Sequence, residues 1–147
     1  MKLEVVETPL ILFDEEKNLW IPQPTRFWIL DKAFHKAISR LEEKGLIKKW
    51  ERKISENDKL FQFFKSLHEK EVLKRKKILE RDFLHLKDTK AYKILLDEDL
   101  GIGSIRNFKT KPFKVKCFHL WTAYHIGDKD FKNPIGEYVL KHIEKSF

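Results

Sequence analysis

The residues best suited to chemistry lie in one stretch, Val115-Lys116-Cys117-Phe118-His119. Cys117 is the only cysteine of the 147 residues, and His119 stands two positions beyond it. A cysteine attacks as its thiolate, which a neighbouring imidazole, a cation or a helix N-terminus produces. On a strand the two side chains would point to the same side. On a helix they would sit about 200° apart. Cys117 would then join Leu120, Trp121 and Tyr124 in an apolar stripe, as a small core residue. The composition of 116–126 favours helix from about Lys116 onward. Between these cases, Cys117 at the start of such a helix would feel the helix dipole and the charges of Lys114 and Lys116. A lone cysteine makes neither an internal disulfide nor a multi-cysteine zinc site. His119 and His125 fall on different helical faces, and His35, His68, His85 and His142 are scattered over separate segments. No metal centre and no cofactor are therefore expected.

A second constellation precedes the first. Gly101-Ile102-Gly103-Ser104 breaks regular structure, and Arg106, Lys109, Lys111, Lys114 and Lys116 follow. Backbone N–H groups of a glycine turn can converge on a phosphate, a guanidinium can hold it in two places, and a helix start adds positive charge. The expectation is a phosphate-type anion site built from Gly101, Gly103, Ser104, Arg106 and Lys116, closed by Asn133, with Cys117 and His119 beside it. It is not a dinucleotide fingerprint, since Arg106 stands where the third glycine belongs. The overall charge agrees: 31 Lys and Arg against 23 Asp and Glu leave a net +8, which favours acidic partners. A nucleotide, a polyphosphate or an RNA backbone would suit. Phe108, Phe113 and Phe118 alternate with lysines as in a base-stacking surface, although alternating aromatics are also what a core requires. Three readings follow: a basic binding module, a small enzyme working through Cys117 and His119 at the same pocket, and a module that docks an acidic partner through Lys74-Arg75-Lys76-Lys77.

The elements that must position these residues are legible in outline. Residues 2–30 hold short apolar runs, from Leu3, Val5 and Val6 onward, broken by Pro9, Pro22 and Pro24, and read as edge strands. Asp31 caps a helix carrying Phe34, Ala37, Ile38 and Leu41 on one face, and Gly45 stops it. Ile47 and Trp50 return the chain to the core. Ser55-Glu56-Asn57-Asp58 resembles a capping box for a long helix reaching about Leu84. A further helical piece covers Thr89 to Leu96, and Asn133-Pro134-Ile135-Gly136 turns into a last helix. The fold class is α+β: a small irregular N-terminal antiparallel sheet packed against four or five helices, in one domain over 1–147. No apolar run is long enough to cross a membrane and no secretory leader is visible, so the expected setting is cytoplasmic, without membrane insertion. Abundant Lys, Glu and Ile with scarce Gln, Met and Cys match the bias of proteins from hot environments.

Five segments in order carry a resemblance: Pro24-Thr25-Arg26-Phe27-Trp28-Ile29-Leu30, Ser39-Arg40-Leu41-Glu42, Gly101-Ile102-Gly103, Val115-Lys116-Cys117-Phe118-His119 and Asn133-Pro134-Ile135-Gly136. Together they resemble bacterial domain-of-unknown-function family 501. The resemblance implies an intracellular protein and supplies no mechanism.

Overall fold

Short, proline-interrupted apolar runs make short strands. The computed structural model describes residues 4–143, so Leu3, at the head of the first expected run, lies outside the described residues. Strand β1 (Val5–Glu7) pairs antiparallel with β4 (Phe27–Ile29), and between them β2 (Ile11–Asp14) and β3 (Leu19–Pro22) form a hairpin. The expected single sheet is thus two separate ladders of two strands. Pro22 ends β3 and Pro24 stands in the short segment between β3 and β4, which carries no regular pairing. Asn18, left-handed at φ 51°, closes the hairpin turn, and Asp14 accepts the N–H groups of Glu16 and Lys17.

Six α-helices follow among the described residues, so the fold is α+β. Asp31 caps α1 (Lys32–Glu42) by accepting the N–H groups of Ala33 and Phe34 at 2.8 and 3.1 Å. Gly45, left-handed at φ 75°, reverses the chain at once into α2 (Leu46–Glu56), a helix the sequence reading leaves out. Only Trp50 and Ile54 of α2 are buried, too sparse a stripe to announce a helix on its own. The capping box at Ser55 is corrected as well. Ser55 lies inside α2, its hydroxyl accepts the Phe113 N–H at 2.9 Å, and Asn57 caps α3 (Asp58–Asp82) by accepting from Leu60. After α4 (Lys90–Leu95), the helical piece expected over Thr89 to Leu96 and capped by Thr89, an irregular stretch leads to α5 (Phe118–Gly127) and α6 (Pro134–Ile143). Single 3-10 turns stand at Leu84–Leu86, Ile102–Ser104 and Lys129–Phe131.

The 25-residue α3 joins two apolar clusters. Its first half inserts Phe61, Phe64 and Leu67 among Trp121, Phe113, Phe118 and Ile102. Its far end sends Leu79 to Leu10, Ile11, Leu86 and Tyr92, beneath the hairpin and α4. Between them α3 buries polar groups: His68, Glu71 and Arg75. Glu71 receives Arg26 Nε and Nη2, the latter at 2.7 Å, and the Tyr124 hydroxyl at 2.5 Å. The Tyr124 oxygen in turn accepts the Arg26 backbone N–H at 3.0 Å. Burial alone would lower the Arg26 pKa, but the charge and hydrogen bonds of Glu71 raise it. Burial and the same carboxylate push the Tyr124 hydroxyl up, so it remains a donor. Arg75 donates to the carbonyls of Leu95, Asp97 and Leu100, closing the C-terminal side of α4.

Two outcomes follow from this polar band. Glu71→Leu takes the hydrogen-bonding carboxylate from a buried guanidinium, leaving it only the longer ion pairs with Glu7 and Asp128, and should cost about 3 kcal/mol in urea unfolding, whereas adding Arg26→Met should recover most of the loss. His68 accepts the Ile102 N–H on Nδ1, and burial pushes its pKa down to about 3. Its folded pKa therefore lies below the unfolded value near 6.5, so its contribution is intact above pH 6.5 and declines as pH falls toward 3. The limiting slope is about 1.4 kcal/mol per pH unit. His68→Asn, which keeps an acceptor for Ile102, should flatten the stability-versus-pH curve between pH 6 and 4; an unchanged slope would show that His68 is not the group responsible.

Candidate functional site

The approach to α5 is held from outside the helix. The Val115 N–H reaches Glu51 at 2.9 Å, and the Val115 carbonyl accepts both the Trp121 indole N–H and the Cys117 N–H. Lys116 is left-handed at φ 71°, a strained conformation for a residue with a side chain, and its ammonium donates to the Gly103 carbonyl at 2.5 Å. Helix therefore begins at Phe118, later than the sequence suggests, because Lys116 cannot be its first turn. Cys117 is left at the N-cap with extended backbone, partly exposed, and packs against the edge of the core cluster that holds Leu120, Trp121 and Tyr124. Its side chain caps nothing.

The missing cap comes from α1. Glu42 Oε2 accepts the Phe118 N–H at 2.7 Å and faces His119 Nδ1 at 3.3 Å. His119 Nε2 meets the His35 carbonyl at 3.2 Å, and the two imidazoles stack at 4.8 Å. His35 is itself tied to the Ile29 carbonyl through Nε2 at 2.7 Å. A carboxylate on one ring nitrogen and a carbonyl on the other call for two N–H donors, which is the imidazolium. The neighbouring Cys117 thiol and the hydrogen bond with Glu42 push the His119 pKa up to about 10. Burial would raise the Glu42 pKa, yet the hydrogen bonds from His119 and Phe118 hold it below the usual carboxylate range. One ligating atom each from Glu42, Cys117 and His119 lies within 4.8 Å of the other two.

This cluster borders a cavity of about 140 Å³. Its buried lining is apolar, from Phe27, Ile29, Leu120 and Ala123, while Trp28, His35, Lys116, Cys117 and His119 form the more exposed part. Three larger grooves among the described residues, one of about 570 Å³ between the C-terminal parts of α1 and α6, do not bring a nucleophile and an imidazole together.

The residues expected to cradle a phosphate are distributed differently. The Gly101 N–H bonds the Ile105 carbonyl, and a side chain at Gly101 would strike His68. Gly103 is left-handed and abuts Leu120, and it turns its carbonyl, not its N–H, toward Lys116. These glycines admit neighbouring side chains. Ser104 is an exposed left-handed residue. The Arg106 guanidinium pairs with Asp97 at 2.8 Å on the surface. Asn133 is buried and structural: it donates to the Trp121 and Phe131 carbonyls and accepts the Gly136 N–H to cap α6. Of the expected set, Lys116, Cys117 and His119 share one cavity. Phe108, Phe113 and Phe118 are core residues, so their faces are closed to nucleic-acid bases. Of the basic run on α3, Arg75 is buried and Lys74 pairs with Asp128, which leaves Lys76 and Lys77 exposed.

Sequence spacing misses Glu42 and His35. Glu42 belongs to one of the five segments that carry the family resemblance, and four of those segments meet here: Thr25 to Ile29, Glu42, Gly103, and Lys116 to His119. That shared membership was the available signal. No helix among the described residues is long and apolar enough to cross a membrane. Neither curated proteins nor solved structures give a match to the chain. The family model described as protein of unknown function, DUF501, matches residues 4–141, and the chain belongs to that family.

Proposed function

We propose that the protein is a small cysteine-dependent enzyme that attacks an electrophilic carbonyl carbon with Cys117. The supporting observation is the placement of the thiol at the N-terminus of α5, within 4.8 Å of the His119 and Glu42 ring and carboxylate atoms and beside a largely apolar cavity. A cysteine beside an imidazole at a helix N-terminus is the arrangement found for nucleophilic thiols. In the attack a carbon–sulfur bond forms and the bond to the leaving group breaks, with His119 supplying the leaving group's proton. Water then hydrolyses the thioester, returning a proton to His119 and freeing the sulfur. Glu42 anchors the ring through Nδ1, and His35 holds it through Nε2. The apolar lining suits a short acyl chain. Lys116 and His119 place two cationic groups on the same cavity, which favours a substrate or leaving group carrying negative charge. The anion preference expected from the overall charge is thereby carried by these two residues, without a glycine cradle.

Alkylation kinetics test the reading. Native Cys117 should react with iodoacetamide at pH 7 at least about tenfold faster than the same thiol in urea, and His119→Gln should remove that advantage. A small activated ester should leave an acyl adduct on Cys117, visible by intact mass. A native thiol no faster than the unfolded one, with no dependence on His119, would overturn the proposal.

A further inference from the structure

We propose that Glu42, Cys117 and His119 also bind a zinc ion, and that the bound ion withholds the nucleophile. One oxygen, one sulfur and one nitrogen donor lie within 4.8 Å of one another at the junction of two helices. Zinc–ligand bonds of about 2.0–2.3 Å place the donors of a tetrahedral site roughly 3.3–3.8 Å apart. Glu42 Oε2 and His119 Nδ1 are already at that spacing, 3.3 Å. A small torsion at Cys117, whose side chain makes no cap bond, brings in the sulfur.

The surroundings are those of a metal ligand set. A ligating histidine ordinarily donates its other ring nitrogen to a carbonyl or carboxylate, which fixes the ring. His119 does so through Nε2 to the His35 carbonyl, leaving Nδ1 toward Glu42. Glu42 is fixed in turn by the Phe118 N–H. Mixed sulfur, nitrogen and oxygen donors select zinc over magnesium or calcium. Three protein ligands leave a fourth position for water, and the side chains of Glu42 and His119, 18% and 21% exposed, admit it. Binding takes the sulfur as thiolate and the ring as neutral imidazole; any protons they carry go to solvent, and nothing is oxidised or reduced.

The inhibitory part of this inference rests on the cysteine-enzyme reading, while the binding part stands by itself. The test titrates zinc chloride into the metal-free full chain against a chromophoric chelator, and repeats the titration with cobalt to look for thiolate-to-cobalt charge-transfer absorption. One zinc per chain is expected. Cys117→Ser should weaken it at least about 100-fold and Glu42→Gln about 10–100-fold, while His85→Ala, at an exposed histidine elsewhere, should change nothing. Glu42→Gln retains an acceptor for Phe118 and serves if Cys117→Ser does not fold. Zinc should slow alkylation of Cys117 in proportion to occupancy, and chelator should restore it. Zinc held no more tightly by wild type than by the folded variants, or cobalt bound without the sulfur absorption, overturns the site. Rapid alkylation without zinc binding removes this inference and leaves the enzyme reading; zinc bound at a thiol that alkylates slowly even after chelation does the reverse.

Discussion

A buried carboxylate decides how this chain is assembled. Glu71 is fully enclosed, and an ionised group in that position is tolerable only if its charge and its lone pairs are all answered. Arg26 answers from the segment entering β4, and Tyr124 answers from α5. Two segments distant in sequence are thereby brought to one point on α3. The Tyr124 oxygen also holds the Arg26 backbone N–H, so the position of β4 is set by the same few atoms. Phe27 and Ile29 follow directly and become a wall of the cavity beside Cys117. The geometry of the site is in this sense inherited from a polar contact that it does not touch.

The outline of the fold could be read because its signals are local. Asp31, Thr89 and Asn133-Pro134 start helices through hydrogen bonds within their own first turn. Proline spacing likewise marks where strands must stop. Where tertiary structure supplies the partner, reading along the chain fails. Ser55 carries a cap-like sequence, but its hydroxyl is taken by Phe113, 58 residues away. Arg75 sits in a run of lysines and is buried because carbonyls from the end of α4 converge on its guanidinium.

The candidate site divides along the same line. Cys117 and His119 are recognisable by type and proximity. Glu42 is not, since a glutamate near the end of an amphipathic helix looks like ordinary surface and acquires meaning only from a helix 76 residues further on. The glycine turn misleads for a related reason. Glycine suits a loop that wraps an anion, and it equally suits a loop pressed against a ring or a leucine. Here His68 and Leu120 occupy the space.

Because Glu42 closes the free end of α5 while holding the imidazole, two helix termini and the reactive groups open or close as one unit. Fraying of the last turn of α1 would release the Phe118 amide to solvent and scatter the cluster together, well before the core around Trp121 loosens. Hydrogen exchange at that single amide is then a clock for how often the molecule stands disarmed.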